Sequence, residues 1–573
     1  MNKLANIGVL LDNEAAQARW AQSENVFEGF VVEVLEHAGI PFRFLQSADE
    51  VGSCDVVIVG LEPLAADLSA QESLWNYSEN GGLLISFAGL NRFAERLGCE
   101  MGPTTGPGYA SLPDYLGDSR PLRYLESTSW DVVRTSASDT PLDTSSFGVL
   151  RSCTSSKCKG LGAVMQSFLV GRGALHRWSV NLPATWVGLQ QGTKPVTQDG
   201  FPAPDGTASI DDRLLKADDS FELNWDMDRV KTTTGAAYFP HPYSDLWKEA
   251  FISHLLRETV KLQLTLPFVG YWPNGIEHVA MISHDSDRNV DESAVTTLDV
   301  LKECNVRSTW CMLEPGYSAP IYERLLAEGH ELALHYNAME DQNGKWDEQE
   351  LARQTDWLKR AAGLEHCISN KNHYTRFEGW GELFRWCERQ GIQADQTRGP
   401  SKKGNVGYLF GTCHPYFPIA YSDEKNRFYD VLEMGFLIQD HLDHSLIDDG
   451  IVLASFLEET MKVKGLAHFL FHPVHIHNHS HVRETLRKVI QMASDYDFVF
   501  MTGEEINHWE RARRSIRILG VNASGDAEFA SASADSQLQE AVIWIPVADN
   551  QNPLTANTEY RFGVACRKQV IFF

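Results

Sequence analysis

A buried strand that ends in two carboxylates is the first place where the sequence suggests chemistry. The run VAMISHDSDRNV, residues 279–290, begins with apolar residues and continues through Asp285 and Asp287 toward a helix. Two carboxylates at this spacing can have separate roles in hydrolysis, because one can bind a divalent cation while the other takes a proton from water. Helix capping is the structural alternative, but Asp291 and Ser293 are better placed to cap the following helix. The pair therefore predicts the edge of an active site.

Three histidines stand at comparable points after other strand-like runs. His335 follows HELAL, His373 lies in NKNHYTRF, and His472 follows AHFLF. Zn²⁺ accepts a mixture of carboxylate and imidazole ligands, and catalytic zinc sites leave one position open. A further histidine can donate a proton, because its pKa lies near neutrality. Each histidine alone has a structural alternative as a core residue, and their shared position at strand ends favours a site.

A second group of histidines offers an alternative metal site. The run HPVHIHNHSH carries His475, His477, His479 and His481 at a spacing of two. On an extended segment such residues share a face and could hold a metal. A solvated polar loop is the interpretation that we favour.

These residues need a scaffold that brings strand ends together, and residues 272–512 predict one. Strand-like runs such as HVAMIS, RSTWCML and HELALHY alternate with amphipathic helical runs. About seven or eight β/α units of this kind predict a distorted (β/α) barrel, with an open doubly wound sheet as the competing arrangement. The C-terminal ends of barrel strands converge on one mouth. This mouth would gather Asp285, Asp287, His335, His373, Asp395 and His472.

The rest of the chain predicts an α/β multidomain protein. Residues 1–205 alternate short apolar strands with amphipathic helices, a pattern typical of a doubly wound parallel sheet. Residues 206–271 are interpreted as a linker that ends in the connecting helix YSDLWKEAFISHLLRETVKL. Residues 513–573 lack helical periodicity and predict a small C-terminal β-sandwich.

The composition of the chain argues against some classes of binding partner. The net charge of −27 argues against nucleic acid and against anionic membrane surfaces, since both would repel the chain. No apolar run has the roughly 20 residues that span a bilayer. The ten cysteines are scattered without a CxxC pair, so we interpret them as reduced core residues. With no signal peptide evident we expect a cytoplasmic protein, although a secreted protein whose signal had been removed would look the same.

The N-terminal region resembles ThuA-like and class I glutamine-amidotransferase-like domains. In the amidotransferases a cysteine occupies a sharp turn between strand and helix. The corresponding turn here reads ISFAGLN, with Phe87, Ala88 and Gly89 and without a cysteine. We therefore expect a binding or scaffolding domain, through which a homo-oligomer could form.

Residues 272–512 resemble the polysaccharide deacetylases, the NodB-homology superfamily of carbohydrate esterase family four. The stretch SHDSD matches the first family motif, which implies that Asp285 is the catalytic base and Asp287 a metal ligand. In GHELALHYNAM, His335 matches the first of two motif histidines, whereas Met339 stands in the place of the second. The resemblance implies Zn²⁺ or another divalent metal as the cofactor.

The same resemblance assigns the remaining roles. His373 in NHYTRFEGW would fill the vacant ligand position, and Arg376 matches the arginine that orients the base. Asp395 matches the carboxylate that tunes the acid, with Glu433 in YDVLEMG as a rival. His472 matches the histidine that acts as general acid.

The expected activity is metal-dependent hydrolysis of an N-acetyl or O-acetyl group on a carbohydrate, with release of acetate. Two alternatives stay open. A metal-free glycoside hydrolase on a related barrel would use paired carboxylates. A catalytically inactive carbohydrate-binding protein is also consistent with Met339, which breaks the family's histidine pair.

Overall fold

The protein is described by a computed structural model that covers residues 3–133, 144–209, 214–440, 450–531, 539–547 and 558–573. Within these ranges, no helix combines the length and the apolar character that crossing a bilayer requires.

The N-terminal region consists of short strands and helices. Its strands are β1 (Ile7–Leu11), β2 (Arg43–Leu45), β3 (Val56–Leu61), β4 (Leu83–Phe87), β5 (Cys99–Thr105), β6 (Gly108–Ser111), β7 (Leu122–Tyr124), β8 (Ser127–Val132), β9 (Thr144–Phe147), β10 (Val149–Arg151), β11 (Gly160–Gly162), β12 (Met165–Val170) and β13 (Gly173–Trp178). Its helices are α1 (Asn13–Ala21), α2 (Phe30–His37), α3 (Leu68–Glu79), α4 (Phe93–Arg96) and α5 (Leu182–Gln191).

The main N-terminal sheet has helices on both faces. Its strand order is β2-β1-β3-β4-β13-β12-β9, in which the first five strands pair in parallel and β12 pairs antiparallel with both β13 and β9. Along β3, Val56 and Ile58 join an apolar cluster that includes α2 and α5, while Val57 and Val59 join one that includes α3 and α4. The parallel part agrees with the predicted doubly wound sheet, and the antiparallel edge was not predicted.

A disulfide corrects one sequence-based interpretation. Cys153 and Cys158 lie five residues apart in a serine-rich turn, with a Cα–Cα distance of 6.3 Å, and are bonded. Such a separation lies within the range that a disulfide spans. The prediction that all ten cysteines are reduced is therefore wrong for this pair, while the other eight are free. Disulfides persist mainly in oxidising compartments, and the location of this protein, cytoplasmic or secreted, stays a prediction.

The connecting segment carries a long buried helix. It contains β14 (Val230–Lys231), β15 (Ala237–Tyr238), α6 (Tyr243–Lys261) and β16 (Phe268–Val269). Helix α6 corresponds to the predicted connecting helix, and its Trp247, Phe251 and Leu255 are fully buried. These side chains belong to a single apolar cluster that extends from the N-terminal sheet into the barrel. The segment is thus packed between the two larger parts.

The central region is an open half-barrel. Its strands are β17 (His278–Asp285), β18 (Thr309–Met312), β19 (Glu331–Tyr336), β20 (Ser369–Asn372), β21 (Ala394–Asp395), β22 (Leu432–Glu433), β23 (Ile438–Gln439), β24 (Leu466–Phe471) and β25 (Phe498–Phe500). Its helices are α7 (Asp291–Cys304), α8 (Ala319–Ala327), α9 (Glu348–Ala362), α10 (Glu382–Gln390), α11 (Ile451–Val463), α12 (Pro473–Asn478), α13 (Ser480–Asp495) and α14 (Gly503–Arg514).

All strands of this sheet are parallel, in the order β22-β21-β20-β19-β18-β17-β24-β23, with β25 paired to the start of β17. In the described chain no ladder joins β22 to β23, so the predicted barrel is not closed by hydrogen bonds. Three of the strands beside the opening, β21, β22 and β23, have only two residues each, which leaves few backbone groups for pairing.

The C-terminal region covers one end of the half-barrel. It contains β26 (Arg517–Val521), β27 (Ala527–Ala530), β28 (Glu540–Pro546), β29 (Thr558–Arg561) and β30 (Val564–Phe572). The described strands form one antiparallel sheet, β16-β28-β30-β29, and one hairpin, β26-β27, rather than the two full sheets of the predicted sandwich. The sheet takes β16 from the segment interpreted as linker. Its Ile543 and Ile571 share an apolar cluster with Met281 of β17 and Trp509 of α14.

Candidate metal and acid–base site

The carboxyl ends of the barrel strands surround a cavity of about 260 Å³. Asp285 ends β17 and Asp287 follows it, His373 comes directly after β20, and His472 directly after β24. His335 is the last residue but one of β19. All five side chains line the cavity. The structure therefore brings together these five of the predicted site residues.

Asp287, His335 and His373, which we call the metal triad, converge on one point. The distance from His335 Nε2 to Asp287 Oδ1 is 3.3 Å, and that from His373 Nδ1 to the same oxygen is 3.5 Å. The two imidazole nitrogens are 3.0 Å apart. One donor atom from each residue thus lies within 4.8 Å of the others, so these side chains could hold a metal ion.

The hydrogen bonding of the triad fits a cation. His335 Nδ1 lies 2.9 Å from the Lys371 carbonyl oxygen, an acceptor, so this nitrogen carries the proton and Nε2 presents a lone pair. Asp287 Oδ1 is buried and has no hydrogen-bond partner of acceptable geometry, although it faces both imidazoles. Burial raises the pKa of Asp287, but the two imidazoles outweigh it and hold the pKa well below its usual value. One carboxylate and two imidazoles are a suitable donor set for Zn²⁺.

A strained turn follows His373, the third member of the metal triad. Tyr374 and Thr375, which follow His373, have φ values of 55° and 53°, in the left-handed region that residues other than glycine rarely adopt. Met339, in the place of the second motif histidine, does not line the cavity within the described residues. His373, which follows the next strand of the sheet, places its Nδ1 where a third donor could stand.

Asp285 lies beside the triad, almost fully buried. Its Oδ1 is 3.2 Å from Lys371 Nζ and its Oδ2 is 3.7 Å from His335 Nε2. Burial raises the pKa of Asp285, but Lys371 and the neighbouring histidines lower it by more, so the net shift is downward. The carboxylate is therefore held ionised, which is the state that a base requires.

His472 is held by a carboxylate that the sequence analysis missed. Asp440, directly after β23, accepts from His472 Nδ1 at 2.8 Å and from the His472 backbone N–H at 2.8 Å. His472 Nε2 then points toward the triad, 3.7 Å from Asp287 Oδ2. Burial lowers the pKa of His472, but Asp440 outweighs it and raises the pKa to about 10. An aspartate following the apolar run FLIQ was the available signal, analogous to that of Asp285.

Arg376 and Asp395 do not contact the groups that the resemblance implied. The Arg376 guanidinium donates to Glu378 at 2.8 and 2.6 Å and to the Ala338 carbonyl, and Lys371 is the cation at Asp285. Arg376 lies on the loop after β20, and its side chain is engaged by Glu378 and Ala338.

Asp395 is directed into the interior of the barrel. It accepts from Asn370 Nδ2 at 2.7 Å and from Thr397, and it lies beside Glu433. Burial raises the pKa of Asp395 and of Glu433. The carboxylate that bonds to the His472 ring is Asp440 rather than Asp395 or Glu433, and the tuning role of Asp395 stays a prediction.

The histidine-rich segment is helical rather than extended. His475 and His477 lie on α12, and His481 lies on α13. His475 Nδ1 is 3.3 Å from Asp440 Oδ1, whereas His477 Nδ1 bonds to Thr296 Oγ1 at 2.7 Å. The four histidines therefore do not share the face that an extended strand would give them. Asp440, His472 and His475 form a second group close enough to hold a metal, but hydrogen bonds account for these contacts.

The segment interpreted as linker forms one wall of the cavity. Lys216 and Ser401 both line it. Asp218 anchors this wall by accepting from Ser401 N at 2.9 Å, from Ser401 Oγ at 2.8 Å and from Asn405 Nδ2 at 2.6 Å. No periodic pattern in the sequence predicted this contact.

Comparison with known proteins identifies distant structural likeness. No protein-family model and no curated protein matches the chain. A protein from Mycobacterium smegmatis assigned as a polysaccharide deacetylase is 16% identical over 43% of this chain and 94% of its own, with a TM-score of 0.31. The Xyl-CE4 domain of a multidomain xylanase, from the hindgut metagenome of Trinervitermes trinervoides, is 13% identical over 44% of this chain and 99% of its own. Its TM-score is 0.25.

A β-galactosidase from Rahnella sp. R3 is 15% identical over 31% of this chain and 28% of its own, with a TM-score of 0.24. TM-scores of this size do not establish a shared fold. The function must therefore be argued from the site itself.

Proposed function

We propose that this protein is a metal-dependent deacetylase that removes an N-acetyl or O-acetyl group from a carbohydrate. The observation that carries the proposal is that one cavity holds the metal triad, the ionised Asp285 and the Asp440-bound His472. A cation site, a base and an acid are the three components that hydrolysis of an acyl group needs.

Each side chain has a definite task in this proposal. Asp287, His335 and His373 would hold the cation, which when bound supplies a Lewis acid for the acyl carbonyl and lowers the pKa of water. Asp285 accepts the proton of the attacking water. His472 donates a proton from Nε2 to the departing amine or alkoxide, while Asp440 fixes the ring through Nδ1.

A sugar ring suits the mouth of the cavity. Tyr374 lines the cavity and is 52% exposed, so part of its ring is accessible to a sugar. The resemblance to polysaccharide deacetylases supplies the carbohydrate class and the acetyl group.

The charges in the cavity argue against a metal-free glycoside hydrolase. Such an enzyme uses a pair of carboxyl groups, one of which must be protonated to act as the acid. Here the pKa of Asp285 and that of Asp287 are both lowered by the surrounding cations and imidazoles. Neither carboxyl group is therefore held in the protonated form that the acid of a glycoside hydrolase requires.

Acetate release tests the proposal. The purified protein is incubated with N-acetylated chito-oligosaccharides and with O-acetylated xylo-oligosaccharides, before and after treatment with a chelator. We expect acetate from at least one substrate, loss of that activity on chelation, and recovery when Zn²⁺ is restored. Cleavage of glycosidic bonds that survives chelation would instead identify a glycoside hydrolase, and binding without any acetate would identify an inactive binding protein.

A further inference from the structure

Lys371 is a fully buried lysine inside the barrel, and no motif in the sequence indicated a role for it. It lies on β20, two residues before the triad ligand His373. Its Nζ is 2.6 Å from Ser283 Oγ and 3.2 Å from Asp285 Oδ1. A buried ammonium without a counter-charge is strongly destabilising, so the ion pair with Asp285 needs a structural or functional explanation.

The surrounding hydrogen bonds fix Lys371 Nζ as a donor to Ser283. His468 Nδ1 faces the Met434 carbonyl oxygen at 3.1 Å, so it donates there, and His468 Nε2 must accept. Ser283 Oγ lies 2.8 Å from that Nε2 and therefore donates its only proton to it. The Ser283 oxygen is then left as an acceptor for Lys371. Burial lowers the pKa of His468 to about 3, which agrees with a neutral ring.

The contact between Lys371 and Asp285 is ionic rather than a directed hydrogen bond. The distance of 3.2 Å satisfies an ion pair, while Asp285 Oδ1 has no hydrogen-bond partner of acceptable geometry. Charge thus fixes the position of the carboxylate from inside the barrel. The orientation of the ammonium itself is set by Ser283, and through it by His468.

Lys371 also contacts the metal triad through its backbone. Its carbonyl oxygen accepts from His335 Nδ1 at 2.9 Å. One residue therefore orients a triad histidine with its main chain and holds the neighbouring carboxylate with its side chain. The spacing between Asp285 and the triad depends on where β20 places this residue.

We propose that Lys371 is the positioning residue for the base Asp285, in the place that the resemblance gave to Arg376. This inference rests on the proposed deacetylase function. Loss of the ammonium leaves Asp285 free to rotate or to contact the triad, so the base is misplaced while the metal donors remain. A misplacement of about 1 Å at a reacting group can cost roughly 10²-fold in rate.

Kinetics of two variants test the assignment. Lys371→Met keeps most of the side-chain volume and removes the charge, while Lys371→Ala leaves a space for a small molecule. We expect kcat for acetate release to fall by about 10²-fold in both variants, with KM within a few-fold of wild type and metal content unchanged. Ethylammonium should restore part of the Lys371→Ala activity, and ethanol should not. A purely structural lysine would not respond to the charge of the added molecule.

Ser283→Ala is the matched control, because it removes the hydroxyl but keeps the ion pair. Its kcat should fall less than that of Lys371→Met. Wild-type kcat in Lys371→Met would overturn the assignment, as would equal rescue by ethanol and ethylammonium. If Lys371→Ala does not fold, Lys371→Met alone tests the assignment, because a positioning role lowers its kcat and leaves its KM nearly unchanged. A wild-type protein that releases no acetate overturns the proposed function, and this inference with it.

Discussion

The Asp285→Asn variant should release acetate about 10³-fold more slowly than wild type and should still bind its metal. The amide has the shape of the carboxylate but cannot take the proton of the attacking water, and positioned bases contribute roughly 10²–10⁴-fold. The substitution leaves Asp287, His335 and His373 in place. It also leaves Lys371 without its counter-charge, so the thermal midpoint of unfolding should fall.

The measurements are initial rates of acetate release, elemental analysis of the purified variant, and thermal unfolding. Asp291→Asn is the matched control, since Asp291 stands at the start of α7 and bonds only to the exposed Ser318 N–H at 3.0 Å among the contacts described. It should behave as wild type. An Asp285→Asn enzyme that keeps more than a tenth of the wild-type kcat would remove Asp285 from the role of base.

His472→Ala should lose activity in a way that depends on the leaving group. An amine must be protonated as it departs, so the rate on an N-acetylated sugar should fall by about 10²–10⁴-fold. An aryl acetate has a stable phenolate as its leaving group and needs no acid, so its rate should fall much less. The ratio of the two rates therefore reports the acid role rather than general damage to the site.

Asp440→Asn should show a smaller effect with the same dependence on leaving group. The asparagine can still accept from His472 Nδ1, but it removes the charge that raises the pKa of His472. His477→Ala is the control, because His477 lies on α12, the helix that begins directly after His472, and bonds to Thr296 instead. Equal losses on the amide and on the aryl ester in His472→Ala would contradict the acid assignment.

The positions at the strand ends could be predicted because they depend on local pattern. Asp285, His335 and His472 each follow or end a run with strong β character, and parallel strands place their carboxyl ends on one edge. The same pattern placed His373 at the mouth, but the strand before it has the unusual sequence SNKN, and the role of His373 as a ligand was predicted only through the resemblance.

The supporting residues could not be predicted in this way, because their roles depend on contacts far apart in the chain. Lys371 reaches Asp285 across the inside of the barrel, and a lysine in a strand-like run carried no sign of its direction. Asp440 follows a strand of only two residues, β23, which the pattern did not reveal. Arg376 was chosen by motif, and its short distance in sequence from His373 says nothing about which way the loop turns.

The limits of the fold prediction have similar causes. Alternation of apolar strands and helices predicted both α/β regions, but it cannot tell a closed barrel from a half-barrel in which no ladder joins the described strands β22 and β23. β16 joins a sheet whose other strands lie more than 260 residues later in the chain, so it appeared to be part of a linker. Such long-range pairing leaves no periodic signal in the local sequence.

The most direct test of the central claim is the metal content of the purified protein, measured by elemental analysis in wild type and in Asp287→Ala side by side. The metal triad predicts one divalent ion per wild-type chain and a clear loss of that ion in the variant, because one of three donors is gone. Wild-type protein that carries no divalent ion after incubation with Zn²⁺, or an Asp287→Ala variant that retains the full amount, would contradict it.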